Sequence, residues 1–191
     1  MNQQDLEPHK SAMEADGYQL DDSRFARLKQ WHGVLFQLAS AKHYLDQIKA
    51  YESDLGDLQN AYELMAQFSA FVLQYSKCFT SGGKGQTTLD ENKVFASNAD
   101  ALNAHKRILD IRHNLVAHNG NSELILANLG VKEQEDRFVV KHYLTLAIPL
   151  GELDAFESAL ETATQHSILA VNKHLDSIGE QLGKIVLLDE A

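Results

Sequence analysis

About 140 consecutive residues, from His9 to Ile148, contain no proline. Proline breaks helix interiors, so so long a stretch without it favours long helices. The apolar spacing agrees. Phe25, Leu28, Leu35, Leu38, Leu45 and Ile48 recur at helical intervals with Trp31 beside them, which predicts a helix over roughly 24–50. Asp21, Asp22 and Ser23 offer side-chain oxygens to start it. Leu58, Tyr62, Met65, Phe68, Val72, Tyr75 and Phe79 mark a second helix. The short polar break 52–56 makes the two antiparallel neighbours. After a glycine-containing loop, Thr80 to Thr88, comes a third stripe, Ala101, Ala104, Ile108, Ile111 and Leu115, ending near Asn119-Gly120.

The pattern then changes. Leu124–Leu129 and Phe138–Ile148 are rich in strand-forming residues, and Phe138, Val140, His142, Leu144 and Leu146 alternate on one side. A hairpin follows, with Gly130–Asp136 as its turn. Pro149 opens a last helix with Leu153, Leu160, Ile168, Val171, Leu175, Ile178 and Leu182 on its face. The expected fold is mainly α: a four-helix up-down bundle with a β-hairpin inserted before the last helix. Residues 1–20 read as a flexible leader, 21–185 as one domain and 186–191 as a tail.

Composition narrows the function. No run of about 18 apolar residues is present to span a membrane, and the polar stretch from Met1 to Asp22 lacks the apolar centre of a secretory signal. With Cys78 the only cysteine, an intrachain disulfide and a zinc–thiolate cluster are excluded. The expectation is a cytoplasmic protein with no membrane partner. The net charge is −10, which opposes binding to a nucleic-acid backbone unless basic residues are locally concentrated.

The segment 81–88 resembles a phosphate-binding loop only superficially. Lys84 is followed by Gly85 rather than Ser or Thr, and a helix rather than a buried strand precedes it. It reads as a connector. The nine histidines show no metal-ligand spacing, so neither a metal nor a cofactor is expected. His32, His43, His166 and His174 read as surface or groove residues, and Cys78 as core packing.

One spot is chemically dense: the eleven residues from Asp110 to Gly120, which carry Arg112, His113, Asn114, His118 and Asn119. On an ideal helix Arg112 and His118 stand roughly 120° apart, so they share a face only if the helix frays near its end. His105, Arg112 and Asn119, seven apart, do align. A bland reading is helix capping, since cations near a helix C-terminus complement its dipole.

Arg112-His-Asn-Leu-Val-Ala-His118 resembles the HEPN motif: an arginine, a polar residue directly after it, and a histidine within four to six intervening residues. Tyr75 to Gly82, then a loop, then His105 upstream also looks like uncharacterised bacterial members. The resemblance covers roughly residues 24–180. It implies an all-helical bundle, a homodimer with paired motifs facing each other, and metal-independent RNase activity of the toxin or phage-defence kind, with a cognate antitoxin as a further protein partner. It implies Arg112 and His118 as catalytic residues, with His113, Asn114, Asn119 and His105 in support. Histidine titrates near neutrality and can act as base or acid, while arginine stays charged and grips phosphate through two donors. The acidic net charge and the inserted hairpin depart from the pattern. Two readings compete: a non-catalytic HEPN-like module binding a nucleotide, nucleic acid or protein, and a purely structural helical dimer.

Overall fold

The structure, a computed structural model, describes residues 3–51, 58–80, 87–117 and 125–188. It is mainly helical, with α1 (Gln3–Ala15), α2 (Ala26–Lys49), α3 (Leu58–Lys77), α4 (Glu91–Val94), α5 (Ala99–Ala117), the strands β1 (Ile125–Glu133) and β2 (Phe138–Leu146), and α6 (Leu153–Leu182). Among the described residues no helix is long and apolar enough to cross a membrane.

Helix α2 starts where the aspartates predict. Asp22 accepts from the Arg24 backbone N–H at 2.9 Å and begins a 3-10 turn, Ser23–Phe25, that leads into it. Its buried face is Leu28, Trp31, Val34, Leu38, Ala41, Leu45 and Ile48. Helix α3 packs along it and α6 covers its other side; α5 lies against both α3 and α6. The shared core is aromatic at its centre. Phe68, Phe71 and Phe156 meet with ring centroids 6.0–6.4 Å apart, and Phe71 continues to Tyr75 at 6.2 Å. On the surface Lys49 bonds Asp154 at 2.7 Å and Glu157 at 2.6 Å, tying the end of α2 to the start of α6.

Several expectations need correction. Tyr62 and Ile168 are exposed, although periodicity put them on apolar faces. The faces that pack are Leu64, Met65, Phe68, Phe71, Val72 and Tyr75 in α3, and Phe156, Ala159, Leu160, Ala163, Ser167 and Val171 in α6. A helix offers about 100° per residue, and contact with its neighbours selects which arc is covered. The segment read as a leader contains α1, whose side chains from Pro8 to Ala15 are all exposed. Pro149 opens a 3-10 turn, Leu150–Glu152, and α6 starts after it. That helix ends at Gly183, whose φ of 61° is the left-handed cap predicted for glycine-terminated helices.

The hairpin stands before the last helix, as expected, but its turn is tighter. The strands pair from Ile125↔Leu146 through Gly130↔Lys141 to Glu133↔Phe138. Gly130 is therefore inside the ladder, and the chain reverses over 134–137, where the Gln134 N–H donates to the Arg137 carbonyl at 2.8 Å. Val131, Val139 and Val140 favour extension of the ladder beyond the glycine.

Candidate active site at the end of helix α5

Helix α5 begins at Asn98, whose side-chain oxygen accepts from the Ala101 N–H at 3.0 Å. One face then carries Ala101, Ala104, His105, Ile108 and Ile111 into the core. Arg112 continues that stripe: it lies seven residues beyond His105, about 10 Å along the helix axis. It is half-buried, His113 next to it is exposed, and Asn114 is half-buried. Arg107, one turn upstream, reaches Glu152 at 3.3 Å and Asp110 at 3.4 Å. Among the described residues Arg112 has neither a hydrogen bond nor an ion pair with a carboxylate. The last turn of α5 as far as Ala117 contains no basic residue.

His118 and Asn119, the other half of the motif, lie outside the described residues, as does the segment 81–86 of the glycine-containing loop.

His105 occupies a different setting from the motif residues. It is fully buried, and both ring nitrogens are engaged. The Tyr75 hydroxyl lies 3.0 Å from Nδ1 and a Glu91 carboxylate oxygen 3.1 Å from Nε2. A neutral ring with its proton on Nε2 satisfies all three groups: Tyr75 donates to Nδ1 and Nε2–H donates to Glu91. Phe79, Phe95 and Tyr75 surround it, with ring centroids at 4.2, 4.9 and 5.8 Å. Burial lowers the His105 pKa, the Glu91 carboxylate opposes that shift, and Lys106 adds to it. Burial likewise raises the Tyr75 hydroxyl well above its ordinary range. Its position joins α3, α4 and α5 through one ring.

This Tyr75–His105–Glu91 link was not foreseen. A signal for it existed, since position 105 falls between Ala104 and Ile108 on the apolar stripe. Glu91 gave no such hint; it stands in α4, a four-residue helix capped by the Asp90 side chain at 3.1 Å from the Asn92 N–H.

The remaining singled-out residues fall where expected. Cys78 is buried and its thiol is pushed up to about 12 by that burial, which leaves it packing rather than attacking. His32 and His43 are exposed; His166 and His174 are half-buried, His174 against Trp31 at 6.1 Å. Among the described residues no group of three or more His, Cys, Asp or Glu side chains is placed to hold a metal ion. An open hollow of about 1020 Å³ lies between the segment 19–26, α2 and the end of α3, floored by Leu28, Val34 and Cys78; none of its lining residues belongs to α5 or the hairpin. No protein-family model matches the chain, and no curated protein or solved structure does.

Proposed function

We propose that the chain is a metal-independent endoribonuclease of the HEPN type, a four-helix up-down bundle acting in the cytoplasm as a homodimer with a composite site. The observation that carries this reading is Arg112: half-buried at the far end of α5, on the same face as the core stripe, and not neutralised by any described carboxylate. An arginine held that way has its side-chain entropy partly spent and its charge free, as a phosphate clamp requires. His118 removes the 2′-hydroxyl proton, the 2′-oxygen attacks phosphorus, and the P–O5′ bond breaks as the 5′-oxygen takes up a proton from water. The product is a 2′,3′-cyclic phosphate. Arg112 bears on the charge that builds on the phosphate, and His113, Asn114 and Asn119 orient it. In the toxin or phage-defence role of such enzymes, a cognate antitoxin holds the activity in check.

The test is purified protein against structured RNA. His118→Ala and Arg112→Ala should each lower cleavage by about a hundredfold or more, the range for losing one preorganised charge-stabilising group, with the fold intact. An inactive wild type, or a His118→Ala variant as active as wild type, ends the catalytic reading. The net charge of −10 then favours the second one, a HEPN-like module that binds a nucleotide or a protein partner through the same surface.

A further inference from the structure

The hollow beside the start of α2 is held open by its own walls. Lys29 of α2 pairs with Asp21 and so anchors the segment that precedes the helix. Gln30, also of α2, accepts from the Thr87 hydroxyl at 2.8 Å and anchors the chain that leads to α4. The Cys78 thiol at the end of α3 lies 3.8 Å from the Val34 carbonyl. At about 1020 Å³ the hollow has the size of a small-molecule site rather than of a packing gap. Its floor of Leu28, Val34 and Cys78 is buried and apolar, and the half-buried Leu20 and Phe25 extend it.

Gly33 points to an occupant. It lines the hollow from the interior of α2, where glycine weakens a helix relative to alanine because it loses the most freedom on folding. A crowding neighbour would justify it, but among the described residues nothing lies within 4 Å of the place its Cβ would take. What the missing side chain supplies is width, which lets a ligand approach the backbone of α2. The charges of the lining then set the class of ligand. Asp21 is matched by Lys29, and Asp22 accepts from Arg24 at 3.0 Å. Lys77 meets only a neutral amide, Gln74 Oε1 at 3.2 Å, and no carboxylate among the described residues. An apolar floor with an unmatched cation at its rim suits an amphiphile with an anionic head. Among the described lining residues Phe25 is the one aromatic ring besides His32, so the floor offers an aliphatic chain more contact than it offers a planar ring system seeking stacking partners.

We infer that the hollow binds an aliphatic monocarboxylate, with its chain on Leu28, Val34 and Cys78, passing Gly33, and its carboxylate at Lys77. Burial of the chain supplies the affinity and the lysine fixes the orientation. The site shares no residue with α5 or the hairpin, so it stands whether or not Arg112 serves catalysis.

The experiment is isothermal titration of the full chain with decanoate, kept below its micelle concentration. Wild type should bind it saturably, one molecule per chain. Acetate, the same head without the chain, should give no binding. Decylammonium should bind more weakly than decanoate, although a net charge of −10 favours the cation over the rest of the surface. Lys77→Gln should weaken decanoate by about fivefold, the scale of an exposed charge pair, and the difference should shrink in high salt. Gly33→Leu should weaken it by about tenfold or more by blocking the hollow. Leucine favours a helix and position 33 is open, so this variant should keep its helical circular dichroism. If it nevertheless fails to fold, backbone amide NMR of the wild type decides. Decanoate shifting the signals of Gly33, Val34 and Cys78 supports the site, and shifts confined to the exposed Leu129 and Val131 of the hairpin overturn it. Absence of saturable binding, decylammonium binding as tightly as decanoate, or a folded Gly33→Leu variant binding as well as wild type would also overturn the inference.

Discussion

His105 shows how much one residue's surroundings decide. Its ring fills space among Phe79, Phe95 and Tyr75 and satisfies the Tyr75 hydroxyl. His105→Ala should cost about 3 kcal/mol, because it leaves a cavity and an orphaned buried hydroxyl; chemical denaturation measures it. The pH dependence follows from the direction of the shift. A histidine with a lowered folded pKa binds fewer protons than the unfolded chain does between the two values. Its contribution is complete above the ordinary value of 6.5 and is lost as pH falls toward the folded pKa. His174, also lowered by burial, acts with the same sign. Urea unfolding should therefore give a stability that falls as pH drops below the ordinary histidine value of 6.5, and His105→Gln should flatten that fall. Parallel curves for the two proteins would refute the assignment.

At the scale of elements, α5 depends on its first turn. The Asn98 side chain takes one of the free N–H groups there, so Asn98→Ala should lower stability by about 1 kcal/mol in thermal or urea unfolding, and Asn98→Asp should retain most of it. The helices themselves were legible from spacing because burial on one face imposes a 3.6-residue period. Which arc is buried was less legible, as Tyr62 and Ile168 show, since that depends on where the neighbouring helix lies. The hairpin was legible from alternation, but its turn was not: a glycine can sit in a ladder as readily as in a turn, and the pairing of Gly130 with Lys141 placed it in the ladder.

For the whole molecule, the proposed chemistry uses histidine and arginine in place of a metal. Cleavage of RNA, where observed, should persist in excess EDTA at a rate within about twofold of the untreated enzyme. A loss restored by a divalent ion would transfer the mechanism to metal-assisted hydrolysis. Sequence alone determined that the chain is mainly helical with a hairpin before the last helix, because proline absence and apolar period are local properties written residue by residue. It also brought Arg112 and His113 together, since neighbours in a helix are neighbours in sequence. Only the tertiary structure decided that His105 is a core residue held by Tyr75 and Glu91, 30 and 14 positions away, and that Leu129, Val131, Phe138 and Val140 of the hairpin are exposed. Both are facts about which surfaces meet, and a contact between distant segments is fixed by packing and exclusion of water rather than by any pattern along the chain.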